Sequence, residues 1–379
     1  MIQSLTPEHE WVKYPAFHNA YPLRNEVSAF IRKTGDNSSP YGDLYIDDSY
    51  GRIFDEETHE FGAKYGETSK MPFYPTPRLF EIVDELRVPY RRVPVFRADN
   101  LETIQRALIE AKASNSGHKI LLRGQTKTYL IERTKEETAY FYGQDKVKEP
   151  SFLPSHLRKK FDPYFLKCMW QSQAAILLND IGHDMAKAFD DVAAKAFKSS
   201  ASTFRNTPGF VLFSLGLAQH YGLPSVGLDL TDRLEVACWF ATRAMSISST
   251  GKASSRLVET TADVSPTIFF FRCPDDAVFA YRKAKPEGMP EGRPDRQSAW
   301  FGHVGWGASS NQLGSYLMCG FQLTPDLIAQ IGRDHDLEAQ LFPNRVEDAV
   351  LQILLNMKNT GKYEGEALRA LQGIYHTDD

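Results

Sequence analysis

The sequence predicts an α+β fold, a split mixed or antiparallel sheet flanked by helices, and three observations point to it. Short apolar runs such as KILLRGQ and PTIFFFRC suit strands inside a sheet, the second through its aromatics and Ile268. Other segments carry apolar residues at helical spacing, among them Leu101, Ile104, Leu108 and Ile109, and the closing RVEDAVLQILLNM. Several of these apolar elements end abruptly in polar groups, and packing such elements together brings their polar ends to one rim.

Taken in order, residues 1–95 are rich in aromatic, proline and acidic residues with little sustained periodicity, and read as an irregular, partly stranded N-terminal extension of unknown role. From Asn100, a suitable N-cap, a helix is expected to about Ala113, stopped by SNSGHK. KILLRGQ follows as a buried strand that ends at Arg123, Gly124 and Gln125. Residues 164–198 suggest two helices interrupted near Gly182, part of a helical insertion at about 150–205 within a domain spanning 96–375. FVLFSLGLAQHYG reads as a buried helix after Pro208 and Gly209. The Ser/Thr-rich stretch from Ser246 to Ser265 reads as a loop. Residues 282–300, dense in charge, proline and glycine, read as a loop insertion, and GSYLMCGFQL as a further strand.

Composition excludes more than it selects. A chain of 379 residues with 42% hydrophobic content can build a full core. No window approaches the roughly 18 consecutive apolar residues of a membrane span. The N-terminus has neither a basic region nor an apolar one of the kind that directs secretion, so the expected location is cytoplasmic with no membrane partner. A net charge of −4 gives no global sign of a nucleic-acid surface. Cys168, Cys238, Cys273 and Cys319 sit far apart among apolar neighbours and read as buried free thiols. No metal is expected, since no His or Cys pair has ligand spacing, and the glycine signatures of dinucleotide and phosphate loops are absent.

The stretch least like generic core is LAQHYGLPSVGLDLTDRLEVACWFA, residues 217–241. It sets Gln219, His220, Tyr221 and Gly222 beside a proline turn, then a strand through Asp229 and Thr231, then a largely apolar helix. Gln219 and His220 leave an apolar helix and need buried partners or a cleft; His220 is either a structural histidine or a base or donor at a site. Asp232 with Glu235 has capping-box spacing, which favours an N-cap over a catalyst. His303 in FGHVGWG reads as a structural or solvent-facing loop histidine.

In order, a strand ending in Arg-Gly-Gln, then LPSHLR, then AQHYGLPSVGLDLTDRLEVACWFA, NQLGSYLM and LFPNRVEDAVLQIL resemble the FRG-domain family, named for an aromatic-Arg-Gly motif. The resemblance covers about 95–370. Leu122 stands where that family has an aromatic, and Ser225, Val226 and Gly227 stand where a Thr-Arg-Leu is usual, which removes one arginine charge. The family implies little about activity.

The layout is more loosely similar to the ADP-ribosyltransferase fold of bacterial toxins and defence effectors. That resemblance implies NAD as a substrate, with no resident cofactor, and a small-molecule nucleotide partner with a protein or nucleic acid as acceptor. Arg123 would match an arginine ending the first strand, Thr231 a hydroxyl leading into a helix, and Gln312 the position of a strand-borne glutamate. The implied catalytic set is Arg123, His220 and Gln312, and the implied binding set Arg123, Gly124, Gln125, Gln219 and Thr231. An arginine fork suits a pyrophosphate, and a third group suits the ribose hydroxyl as the glycosidic bond breaks. Gln312 keeps a hydrogen bond but lacks the charge. Two readings of function stay open, an NAD-directed transferase or glycohydrolase and a non-catalytic binding module for a nucleotide or other polar small molecule. Two readings of Arg123 also stay open, a ligand group and a structural salt bridge to Asp229 or Glu235.

Overall fold

The structure is a computed structural model and describes residues 31–33, 44–47, 49, 52–55, 80–88, 91–135, 138, 146–188, 191–261, 264–275, 277–303, 311–333 and 336–377. Its strands are β1 (Ile31–Lys33), β2 (Leu44–Asp47), β3 (Arg52–Asp55), β4 (Ile82–Val88), β5 (Arg91–Ala98), β6 (Lys119–Gln125), β7 (Gly227–Thr231), β8 (Arg243–Ile247), β9 (Ala253–Leu257), β10 (Thr267–Cys273), β11 (Val278–Ala280), β12 (Ala299–His303) and β13 (Leu317–Leu323). The helices are α1 (Leu101–Ser114), α2 (Ser155–Lys159), α3 (Pro163–Ala188), α4 (Asp191–Phe204), α5 (Pro208–His220), α6 (Leu234–Thr242), α7 (Tyr281–Ala284), α8 (Arg293–Arg296), α9 (Pro325–Ile331), α10 (Asp336–Leu341), α11 (Ala349–Asn359) and α12 (Gly365–Leu371).

The centre is an eight-stranded sheet in the order β11-β12-β7-β6-β10-β13-β5-β4. All its pairings are antiparallel except β13 with β5, so the mixed α and β composition with a mostly antiparallel sheet agrees with the expected class. The sheet takes in β4 and β5, and so reaches further towards the N-terminus than the change in composition near residue 95 suggests. β1, β2 and β3 form a separate three-stranded antiparallel sheet.

One face of the large sheet bears two helical groups. Over β6, β10 and β13, α1, α6 and α9 pack on Ile120, Leu122, Ile268, Phe270 and Phe321. Over the β12 end, α3, α4, α5, α11 and α12 enclose Ala299 and Phe301 in a second cluster. The opposite face, Leu121, Phe269, Phe271, Leu228 and Leu230, is covered by Phe152 together with Leu313 and Tyr316. The Phe152 ring stands edge-on to Phe269 and Phe271 at 5.4 and 5.1 Å; burying such a side chain contributes about 1.5–3 kcal/mol.

Local rules account for several elements. Asn100 caps α1 by accepting from Thr103 N at 2.9 Å, as its sequence position implies. Its buried stripe, however, is Ile104, Ala107, Leu108 and Ala111, while Ile109 is 59% exposed. α3 runs through Gly182 without interruption, because a bare Cα is what lets the Lys198 stem of α4 lie against it. The stretch read as a Ser/Thr loop holds the β8·β9 hairpin, whose side chains are mostly partly exposed and so lack an apolar signature. The stretch read as a loop at 282–300 carries α8, with Arg293 fully buried. Asp232 does not cap α6: Arg233 occupies the N-cap, and Asp232 instead accepts from Ser298 Oγ. Cys238, Cys273 and Cys319 are buried, whereas Cys168 is exposed; burial pushes the Cys238 thiol up to about 12.

Candidate functional site

The strands β6 and β7 share a single residue pair, Leu122 with Thr231. Next to that pair the Arg123 guanidinium spans between the strands and donates from Nη1 to the Asp229 carbonyl at 2.6 Å. Arg123 is therefore held by backbone, and neither the Asp229 nor the Glu235 carboxylate forms the salt bridge that the sequence left open. On the helical face above this junction lies a cavity of about 160 Å³, lined among others by Arg123, Gly124, His220, Asp229, Thr231 and Gln297.

Each wall has a local cause. Gly124 lets α6 approach β6 so closely that a Cβ there would stand 1.9 Å from the Ala237 carbonyl oxygen. Alternation along β7 turns Leu228 and Leu230 to the opposite face and leaves Asp229 and Thr231 on the cavity side. His220 ends α5, its side chain 2% exposed. Its Nδ1 lies 3.3 Å from Gln297 Oε1, and Gln297 is fixed by donating from Nε2 to the Leu341 carbonyl at 3.1 Å. That orientation makes Gln297 the acceptor and places the ring hydrogen on Nδ1. His220 Nε2 is then left 3.4 Å from Asp229 Oδ1, in contact but outside hydrogen-bonding geometry. The other carboxylate oxygen, Asp229 Oδ2, accepts from Gln219 Nε2 at 3.1 Å.

Beneath His220, Arg293 holds the chain in place. Its guanidinium lies over the rings of Tyr221, Phe342 and Tyr375, donates to the carbonyls of His220 and Tyr375 at 3.4 and 3.3 Å, and takes no carboxylate partner among the described residues. Asp348 closes the same network by accepting from Tyr221 Oη and from the backbone NH groups of Arg293 and Leu351. Gly222, at φ +82°, makes the turn that follows, packed against the Gly373 carbonyl.

Among the described residues, four buried side-chain atoms around this junction have no hydrogen-bond partner: Arg123 Nε, Gln219 Oε1, His220 Nε2 and Asp229 Oδ1. Buried polar atoms are nearly always paired, and each left unpaired costs about 1–3 kcal/mol. Four of them lie on residues around this junction, two of opposite charge.

The structure brings Arg123, Gly124, His220 and Thr231 together on one cavity, with Gln219 behind it through Asp229. Thr231 lines the wall with its hydroxyl already engaged, donating to the Gln297 carbonyl at 2.9 Å and accepting from Arg233 N. Gln125 ends β6 opposite Thr267 and is not among the lining residues. Gln312 opens a 3-10 helix, Gln312–Tyr316, ahead of β13 rather than sitting on that strand. The side chains of Gln312 and His303 lie outside the described residues. Two polar lining residues, Asp229 and Gln297, stand outside the site set that the sequence predicts. In the sequence Asp229 figures as a partner for Arg123, although a lone acid within an apolar five-residue strand is itself a usable signal. Gln297 carried none, since it lies in a charged stretch far along the chain. Among the described residues no cluster of His, Cys, Asp and Glu is arranged for a metal, and no helix is long and apolar enough to cross a membrane.

The family model of the FRG domain matches residues 137–249. The chain carries an FRG domain. The matched span of this FRG domain includes α2, α5, β7 and α6, and with them Gln219, His220, Asp229 and Thr231; Arg123, Gln297 and Gln312 fall outside it. No curated protein and no solved structure matched the chain.

Proposed function

We propose that the cavity between β6, β7 and α5 binds the ribose end of a nucleotide such as NAD, and that the protein breaks or transfers the bond between that ribose and its base. The observation that carries this reading is the group of unpartnered polar atoms on Arg123, Gln219, His220 and Asp229 around one small cavity. The volume is well below the roughly 300–1,000 Å³ that encloses a whole drug-sized ligand, so it suits one ring of the ligand and leaves the rest outside.

Asp229 takes the role that the resemblance had given to Gln312. Its carboxylate, 37% exposed and steadied through Oδ2 by Gln219, turns Oδ1 towards the cavity, where a negative charge stabilises the cationic character that a ribose gains as its glycosidic bond lengthens. His220 Nε2, beside that oxygen and facing the cavity, is placed to exchange a proton with the incoming hydroxyl. Arg123, which leaves β6 on the Phe269 face, supplies a fixed positive charge behind the cavity through its bond to the Asp229 carbonyl, and Thr231 supplies shape, its hydroxyl being engaged elsewhere.

The second reading, a binding module without turnover, is favoured by one observation: none of the described lining residues is a glutamate. Nicotinamide release from NAD separates the two. The purified protein is expected to release nicotinamide, and Asp229→Asn to lower that rate by about 10²–10³-fold with its melting temperature nearly kept. NAD binding without release would support the binding module, and release undiminished in Asp229→Asn would refute the role of the carboxylate.

A further inference from the structure

Gln297 joins α8 to β12 on the cavity wall, and each of its polar atoms is engaged. Its backbone NH donates to the Arg293 carbonyl, and its carbonyl accepts from Thr231 Oγ1. Its side chain is buried, with Nε2 donating to the Leu341 carbonyl and Oε1 3.3 Å from His220 Nδ1. The next residue, Ser298, has φ +45°, a left-handed backbone that a residue with a side chain adopts only where its surroundings impose it. Ser298 N donates to the Asp295 carbonyl and Ser298 Oγ to the Asp232 carboxylate, and these bonds hold the bend beside Gln297. Because a carbonyl can only accept, the amide turns its nitrogen to Leu341 and its oxygen to His220, whose ring then carries its hydrogen on Nδ1. His220 Nε2 and Asp229 Oδ1 are thereby two acceptors 3.4 Å apart, neither with a hydrogen-bond partner among the described residues.

We propose that Gln297 is a positioning residue that holds His220 in the Nδ1–H form, keeps Nε2 and Asp229 Oδ1 open side by side, and so selects a ligand that brings two neighbouring hydroxyl donors, the cis-diol of a ribose. This deepens the nucleotide reading above, and its ligand half rests on that reading. Without the amide oxygen the pair closes on itself: the ring hydrogen moves to Nε2, donates to Asp229 Oδ1, and leaves the ligand no acceptor. Gln297 prevents that closure, since a hydrogen on Nε2 would set the Nδ1 lone pair against the amide oxygen. The other groups packed about His220 do not compete for its ring nitrogens: Tyr281 meets the ring edge-on at 6.2 Å, and Arg293 donates to the backbone carbonyl. The two hydroxyls of a ribose lie on one side of its ring and can donate to both acceptors at once; a 2′-deoxyribose brings only one.

Nitrogen NMR of the full chain tests the positioning with no ligand present, the His220 signals being those lost in His220→Gln. The wild type is expected to show Nδ1 protonated and Nε2 bare. Gln297→Met, which keeps the length and removes the amide, is expected to move the hydrogen to Nε2 while its melting temperature stays close to that of the wild type. Its affinity for nicotinamide riboside is expected to fall by about tenfold, the worth of one hydrogen bond to a site group. The wild type is expected to bind nicotinamide riboside about tenfold more tightly than the 2′-deoxy analogue, by the same arithmetic. A hydrogen on Nε2 in the wild type, or an unchanged ring in Gln297→Met, would overturn the proposal, and the wild-type spectrum decides even where Gln297→Met fails to fold. Equal affinity for the two ribosides would overturn the diol. The expected ring states with neither riboside bound would uphold the positioning and overturn the nucleotide reading of the cavity.

Discussion

Asp229 and His156 show how single positions divide between site and scaffold. Asp229 sits on an edge of the cavity with one oxygen held and one free, the state of a group that meets a ligand. His156 is buried with its ring against a backbone carbonyl, the state of a group that fixes a turn. Burial lowers the His156 imidazole below its ordinary 6.5, against the smaller opposing effects of the Ser225 carbonyl and Asp162. The sign follows: below about 6.5 the unfolded chain takes up a proton that the folded one refuses, so this contribution is complete above that pH and declines as pH falls, by no more than about 1.4 kcal/mol per pH unit. Urea unfolding at pH 7.5 and 5.5 is expected to show a larger loss for the wild type than for His156→Gln. Equal losses would remove His156 from the account.

At the scale of elements, the close contact between β6 and α6 sets the cavity floor. Gly124→Ala drives a methyl group into the Ala237 carbonyl and the Ala241 NH, both backbone and neither able to turn aside, so it is expected to cost several kcal/mol and to abolish ligand binding with it. Trp239→Ala acts on the other side of the same helix, where the indole lies 4.9 Å from the Phe342 ring and 5.0 Å from Phe240. It is expected to cost about 3–5 kcal/mol. Chemical denaturation of both variants, with NAD binding measured at low temperature, checks whether Gly124→Ala loses the ligand while Trp239→Ala, once folded, retains it. These elements were legible locally: the Asn100 cap, the apolar run of β6 and the aromatic β10 all follow from short-range rules. The β8·β9 hairpin was not, because its serines are half-exposed and have no apolar face to alternate, nor was the continuity of α3, because the glycine that suggests a break serves a helix contact.

For the whole molecule, the position of the site depends on sheet order, which no local pattern encodes. β6 and β7 are separated by 101 intervening residues, from Thr126 to Val226, and become neighbours through one pair, with β12 and Gln297 brought in from further along the chain. Arg123, His220 and Thr231 could be suspected from their places at the ends of apolar elements. That the acid among them is Asp229, and that the Arg123 bond runs to a carbonyl, emerges only when the two helical groups settle on one face of the sheet and leave the cavity between them. The central claim is that this cavity receives the ligand, and a crystal structure of the protein soaked with NAD tests it most directly. The account predicts one ring of the ligand in the cavity with a ribose hydroxyl in hydrogen-bonding reach of Asp229 Oδ1; NAD bound elsewhere on the molecule, with Asp229 and His220 untouched, would contradict it.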